Sequence, residues 1–204
     1  DNSDKQLGWM EKLRYKNFTT LFIDGNHENF DLLNKLEVKE WHGGKVHIIN
    51  DSVLHLMRGY VFNIDSLKVF TFGGARSHDI KDGVISTDTD DWKQAYALAK
   101  LGGLQVRVDH ISWWKEEMPS NAEMMLGLEN LNSVGNKVDL ILTHCCASST
   151  AALMGYRDID ACTRYLEHIR QEVDFRKWYF GHYHKNCAIN DQEICLYDGI
   201  IRIA

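Results

Sequence analysis

The chain has little proline: Pro119 is the only one in 204 residues. That argues against a proline-rich spacer between domains. No apolar stretch approaches the ~18 residues that a membrane-spanning helix needs, so no membrane association is expected. Positive charge is not in excess, since 23 Lys and Arg stand against 29 Asp and Glu, for a net charge of −6. Indiscriminate binding to polynucleotide rests on cationic side chains that neutralise phosphates, and it is not expected here. A small phosphorylated substrate stays compatible, because bound divalent cations can reverse a local field. Cysteine is sparse and odd in number: Cys145, Cys146, Cys162, Cys187 and Cys195. Their spacing fits neither a zinc ribbon nor a disulfide framework, so they read as reduced, mostly buried thiols of a cytoplasmic protein.

What is present suits one domain over residues 1–204 with a sizeable core, at 44% hydrophobic content. Helical periodicity predicts helices over 3–16, capped by Ser3, over 31–36, capped by Asn29, and over 90–100. Two more are predicted over 120–131, with Met124, Met125, Leu128 and Leu131 inward, and over 160–173. Strands are predicted over 20–23, 46–49, 53–56, 60–64, 67–72, 138–142 and 177–180, with a closing hairpin of 188–190 against 194–197. The four strands between 46 and 72 are separated only by short turns, which reads as a β-meander. Residues 74–90 lack periodicity and read as a long surface loop. A polar linker is expected between 143 and 160. Trp113 and Trp114 suit either a stacking wall for a ring or a helix-packing core.

Three strands end on residues that carry chemistry. Thr20-Leu21-Phe22-Ile23 leads into Gly25-Asn26-His27-Glu28. The strand over 138–142 ends at Thr143-His144, and Lys177-Trp178-Tyr179-Phe180 leads into Gly181-His182-Tyr183-His184. In open α/β sheets the carboxyl edge of the strands is where ligands bind. His182 and His184 alternate along extended chain, so both face one site only if the chain turns there, which Gly181 permits.

Together these segments resemble the calcineurin-like metallophosphoesterases of bacterial type. The resemblance implies an α/β fold, a four-layer α/β/β/α sandwich of two mixed sheets. It implies hydrolysis of a phosphomonoester or phosphodiester by water activated on two divalent ions, with Mn, Fe, Zn or Ni suited to imidazole and amide oxygen. Asn26, His144 and His182 correspond to ligands of one metal and His184 to a ligand of the other. His27 corresponds to the outer histidine that contacts the phosphate and protonates the leaving oxygen; Asp24 and Glu28 flank the loop and are candidates to orient it, with a solvated loop carboxylate as the other reading of Glu28. Gly73-Gly74-Ala75-Arg76-Ser77 is similar to a stretch near the site in some bacterial members. It makes Arg76 a candidate catalytic donor to phosphate, with a solvated turn arginine as the other reading.

The family's opening segments, an Asp-x-His and then a Gly-Asp strand end, have no counterpart before Asp24. The domain is therefore expected to be incomplete at its N-terminus, with at most one of the two metals held well. Its activity is then expected to be impaired, and a sheet edge left open to self-association. The alternative reading is a non-catalytic scaffold of this fold that serves protein–protein interaction. His42, His47, His55, His78, His110 and His168 show no ligand spacing and read as structural or surface residues.

Overall fold

The computed structural model describes residues 4–203, with side chains from residue 8 onward. The chain is α/β with mixed sheets. Helix α1 (Asp4–Arg14) leads into β1 (Thr20–Phe22) and then α2 (Phe30–Leu33). Asn29 caps α2 as expected, its side chain accepting from the Leu32 amide, whereas Ser3 lies outside the described residues. Strands β2 (Val38–Trp41), β3 (Gly44–Asn50) and β4 (Val53–Leu56) run antiparallel to one another, and β1 joins β4 in parallel. The first sheet is thus ordered β1-β4-β3-β2.

The expected meander divides here. Strands β5 (Tyr60–Ile64) and β6 (Leu67–Phe72) form a hairpin that belongs to the second sheet. Gly59, in the left-handed region at φ +80°, is where the chain turns from one sheet to the other. The second sheet is completed by β9 (Lys137–Thr143), β10 (Asp174–Phe180), β11 (Cys187–Ala188) and β12 (Glu193–Cys195), in the order β11-β12-β10-β9-β6-β5. Its central pairs β6–β9–β10–β12 are parallel, so Phe72, Thr143 and Phe180 end at one edge.

The long loop after β6 is interrupted by β7 (Gly83–Ile85), paired in parallel with β8 (Val106–Val108), and α3 (Trp92–Leu101) lies between them. Three residues are too short for a visible period, so neither strand shows in the sequence. Likewise the expected linker after β9 contains a helix, α5 (Ser148–Leu153).

The main core lies between the second sheet and helices α4 (Asn121–Ser133) and α6 (Ala161–Glu172), around Phe70, Phe72, Ile141, Leu166, Ile169 and Trp178. Trp178 is buried and satisfies its indole N–H on Thr143 Oγ1 at 2.7 Å, as a buried Trp requires. Both helices start with capping boxes, Ser120 with Glu123 and Asp160 with Thr163. Met124 and Leu128 pack on the core, but Met125 is 57% exposed and leaves the expected apolar face. A second cluster, Val46, Leu54, Leu56 and Phe62, joins β3 and β4 of one sheet to β5 of the other. Trp114 is buried with Phe30 and Leu33 and donates to Asp31 at 2.7 Å, which excludes it as a stacking wall. Among the described residues no helix is long and apolar enough to cross a membrane.

Candidate functional site

Hydrogen bonds past the strand ends tie the loops together. The Gly74 amide donates to Asp24 O, the His144 amide to Phe72 O and the Gly181 amide to His144 O, at 3.0, 3.2 and 3.0 Å. The ends of β1, β6, β9 and β10 are thereby locked side by side, which brings Asn26, His144 and His182 to one place from three separate strands. Two glycines permit the close approach. A Cβ on Gly25 would stand 3.0 Å from the His144 ring, and one on Gly73 would stand 2.1 Å from Asp24 Oδ1.

Asn26 is buried and its amide orientation is fixed. Nδ2 donates to Ser77 Oγ at 2.9 Å, and Ser77 in turn donates to the buried Glu117 through both its amide and its hydroxyl, at 2.9 and 2.5 Å. Oδ1 is left to face His144 Nε2, also at 2.9 Å. The His144 and His182 rings meet edge-on with centroids 5.2 Å apart. Burial, followed by neighbouring imidazoles, holds His182 down to about 3; burial holds His144 down to about 4, against a weaker opposing pull from Asp24. Both rings are therefore neutral; Asn26 Oδ1 accepts from His144 Nε2–H, and each imidazole keeps one lone pair.

The chain turns as expected after β10, by other means. Gly181 keeps ordinary φ, and His182 and His184 take the left-handed region at φ +66° and +51°. For residues with a Cβ this is uncommon, and such strain gathers at functional sites. His184 is exposed and leans on the Tyr197 ring at 4.8 Å. His184 and His27 line a cavity of about 310 Å³ together with Asn26, His78, Tyr156 and His182. His27 is exposed at its mouth, with Nε2 3.3 Å from Asn26 Nδ2. Partial desolvation lowers its pKa, Arg107 and His184 add to the effect, and Asp79 opposes it.

Two expectations are corrected. Asp24 does not orient His27: it is 1% exposed and takes Arg58 Nε at 2.8 Å, Arg58 Nη2 at 2.5 Å and His55 Nε2 at 3.1 Å. Glu28 turns back to accept from the Gly25 amide at 3.4 Å, so it braces the loop instead of the ring. Arg76 is exposed and lines a cavity of about 270 Å³ together with His78 and His182, and the cation acting on His27 is Arg107, held by Asp79 at 2.8 Å. Arg107 sits on a three-residue strand remote in sequence, which hid it. His78 was also missed: it stands in the unpatterned loop, yet its Nε2 lies 2.9 Å from His182 Nε2.

The cysteines take no part. Cys145, Cys146, Cys162 and Cys195 are buried, Cys187 is half-buried and all five are unbridged. Burial pushes the Cys146 and Cys195 thiols up to about 12 and about 11. Among the described residues no three His, Cys, Asp or Glu side chains converge on a point as a metal cage would require. The donors stand instead as two close pairs, Asn26 with His144 and His78 with His182. Chemically the set fits a first-row divalent ion: neutral imidazoles plus an amide oxygen whose nitrogen is occupied elsewhere. No family model, curated protein or solved structure shows significant similarity to the chain.

Proposed function

We propose that the protein is a metal-dependent phosphoesterase acting on a small phosphomonoester or phosphodiester. The observation that carries this reading is the Asn26 Oδ1–His144 Nε2 approach of 2.9 Å beside a neutral His182, three donors delivered by loops after parallel or strand-end segments. The two sheets, with α4 and α6 on one and α2 against the other, are in keeping with a four-layer α/β/β/α sandwich. Asn26, His144 and His182 would hold one divalent ion, and His184 would serve a second. Such ions bring water toward neutral pKa and offset phosphoryl charge. Ser77 keeps the Asn26 oxygen turned to the site. His27, neutral in the free protein, gains its proton when an anionic phosphate enters, because negative charge nearby favours imidazolium. It then donates that proton to the leaving oxygen. Arg107 sets the charge at the same mouth.

The test is a pair of substitutions read by elemental analysis and by hydrolysis of an aryl phosphate. His182→Ala should lower bound Mn²⁺ or Zn²⁺. His27→Ala should leave metal content near normal and reduce turnover by ~10²–10⁴-fold, the usual worth of a general acid. Equal metal loss in both would overturn this division of roles.

The scaffold reading draws on a different observation, that the donors are paired and not converged. It also accommodates the free edges of β1 and β5, through which self-association would run. Metal binding without hydrolysis of either ester class would favour it. Calorimetry should find at most one tight ion per chain, since His184 stands apart from the paired donors and Asp24 is committed to Arg58.

A further inference from the structure

We propose that Cys187 and Cys195 are a redox-convertible dithiol, a modification site whose disulfide loosens the turn that carries His182 and His184. The inference is independent of the phosphoesterase reading, because it concerns what holds that turn and not what binds beside it.

The first argument is register. Strands β11 and β12 are antiparallel, and Cys187 stands directly opposite Cys195. Opposed residues point to one face of the sheet with Cα atoms about 4.5–5.5 Å apart, inside the roughly 4.4–6.8 Å that a disulfide spans. The Cys187 thiol adjoins that of Cys195. Since β11 is a two-residue strand at the sheet's edge, little has to move for the sulfurs to meet. The second argument is access. Cys187 is half-buried, so a small oxidant reaches it, whereas Cys195 is buried. The other close pair, Cys145 and Cys162 with sulfurs 3.6 Å apart, is buried on both sides. The third argument is what Cys195 holds. Its thiol donates to Gly181 O at 3.8 Å, and its sulfur accepts from the Lys185 amide. Those are the two ends of the turn in which His182 and His184 take left-handed backbone, a conformation that persists only where its surroundings enforce it. A disulfide removes the thiol proton, so the bond to Gly181 O is lost and the sulfur is drawn toward Cys187.

The chemistry balances with a hydroperoxide as oxidant. The Cys187 sulfur attacks a peroxide oxygen, the O–O bond breaks, and water leaves with the Cys187 proton. The Cys195 sulfur then attacks the sulfenic sulfur; an S–S bond forms, the S–O bond breaks, and hydroxide leaves as a second water with the Cys195 proton. Burial, and then the facing Cys187, push the Cys195 thiol up to about 11, which suits this second role. A small dithiol reverses the bridge by exchange.

One equivalent of hydrogen peroxide added to the fully reduced chain tests this. Free thiols counted in denaturant should fall by two from five, and peptide mapping should link 187 to 195. Cys145→Ala should bridge as the parent does, and Cys187→Ser should lose no thiol. A link between Cys145 and Cys162, oxidation of Cys187 without a bridge, or an unchanged thiol count overturns the site. Mapping uses the parent alone, so it decides even where a variant misfolds. The imidazole proton resonances of His182 and His184 should shift on oxidation of the parent, return with dithiothreitol, and stay fixed in peroxide-treated Cys187→Ser. A bridge that leaves both resonances in place overturns its coupling to the turn. Neither readout involves an ion or an ester, so failure here is distinct from failure of the phosphoesterase reading.

Discussion

Two short histidine contacts occur among the described residues, and they differ in what surrounds them. His47 and His55 meet through Nδ1 atoms at 2.9 Å, rings parallel within 4°, both buried. His55 passes on to Asp24, and Asp24 to Arg58, so the run His47–His55–Asp24–Arg58 ends in a full ion pair. At the strand ends His78 and His182 are just as close, but their pair ends at a cavity, with the His144 ring set edge-on beside His182. Close imidazoles alone therefore do not mark a site. A chain of bonds that terminates in a carboxylate and a guanidinium is complete without a ligand; one that terminates in neutral donors at an opening is not.

The comparison is broken most severely at Asp24. Asp24→Ala leaves Arg58, 6% exposed, without its buried carboxylate, so that only the partly exposed Glu123 at 3.4 Å and the Glu116 carbonyl remain to it. Removing one member of a buried pair costs ~3–5 kcal/mol, a large part of the stability of a domain this size. Urea unfolding should show that loss, whereas His182→Ala should unfold near the parent's midpoint.

The next effect depends on pH. Burial holds His47 down to about 4, against an ordinary 6.5, with the facing His55 acting in the same direction and Asp24 opposing. A histidine whose folded pKa is depressed takes up no proton while the unfolded chain does, so stability is lost as pH falls from 6.5 toward 4. The loss amounts to at most ~3 kcal/mol, at 1.36 kcal/mol per unit. His47→Gln should flatten the melting temperature over that range. A slope that does not change would place the titrating group elsewhere.

The smallest effect sharpens the open cluster. Ser77→Ala frees the Asn26 amide from its fixed orientation and should weaken ion binding by ~10–100-fold, as outer partners do. Fold stability should drop by about 2 kcal/mol, because the buried Asn26 amide and Glu117 carboxylate each lose a partner. Calorimetry of the ion and thermal melting of the stripped chain separate the two quantities.

Legibility in the sequence followed the range of the interactions. Strand ends 20–28, 138–144 and 177–184 declare themselves because apolar runs stop at Gly, Asn or His, and the chain folds them together as expected. The caps at Asn29 and Ser120 are equally local. What escaped is set by partners far along the chain. Asp24 lies in the expected loop, but Arg58, 34 positions on, decides where it points. Arg107 reaches His27 from a strand too short to show a period, and His78 is positioned through Ser77 and Glu117, 40 positions apart. The meander divided because Gly59 sends β5 to the other sheet, a turn whose destination no local pattern encodes.

The left-handed backbone at His182 and His184 bears on how the protein would respond to selection. Glycine enters that region freely, whereas a residue with a Cβ enters it at ~1–2 kcal/mol. Glycine also gives up more chain freedom on folding, so the gain from replacement is modest but positive at a site already bent this way. A library of variants enriched for heat resistance alone should drift toward glycine at both positions and discard the imidazoles in doing so. Directed evolution of a sturdier form would therefore need a second, ion-dependent screen to keep them.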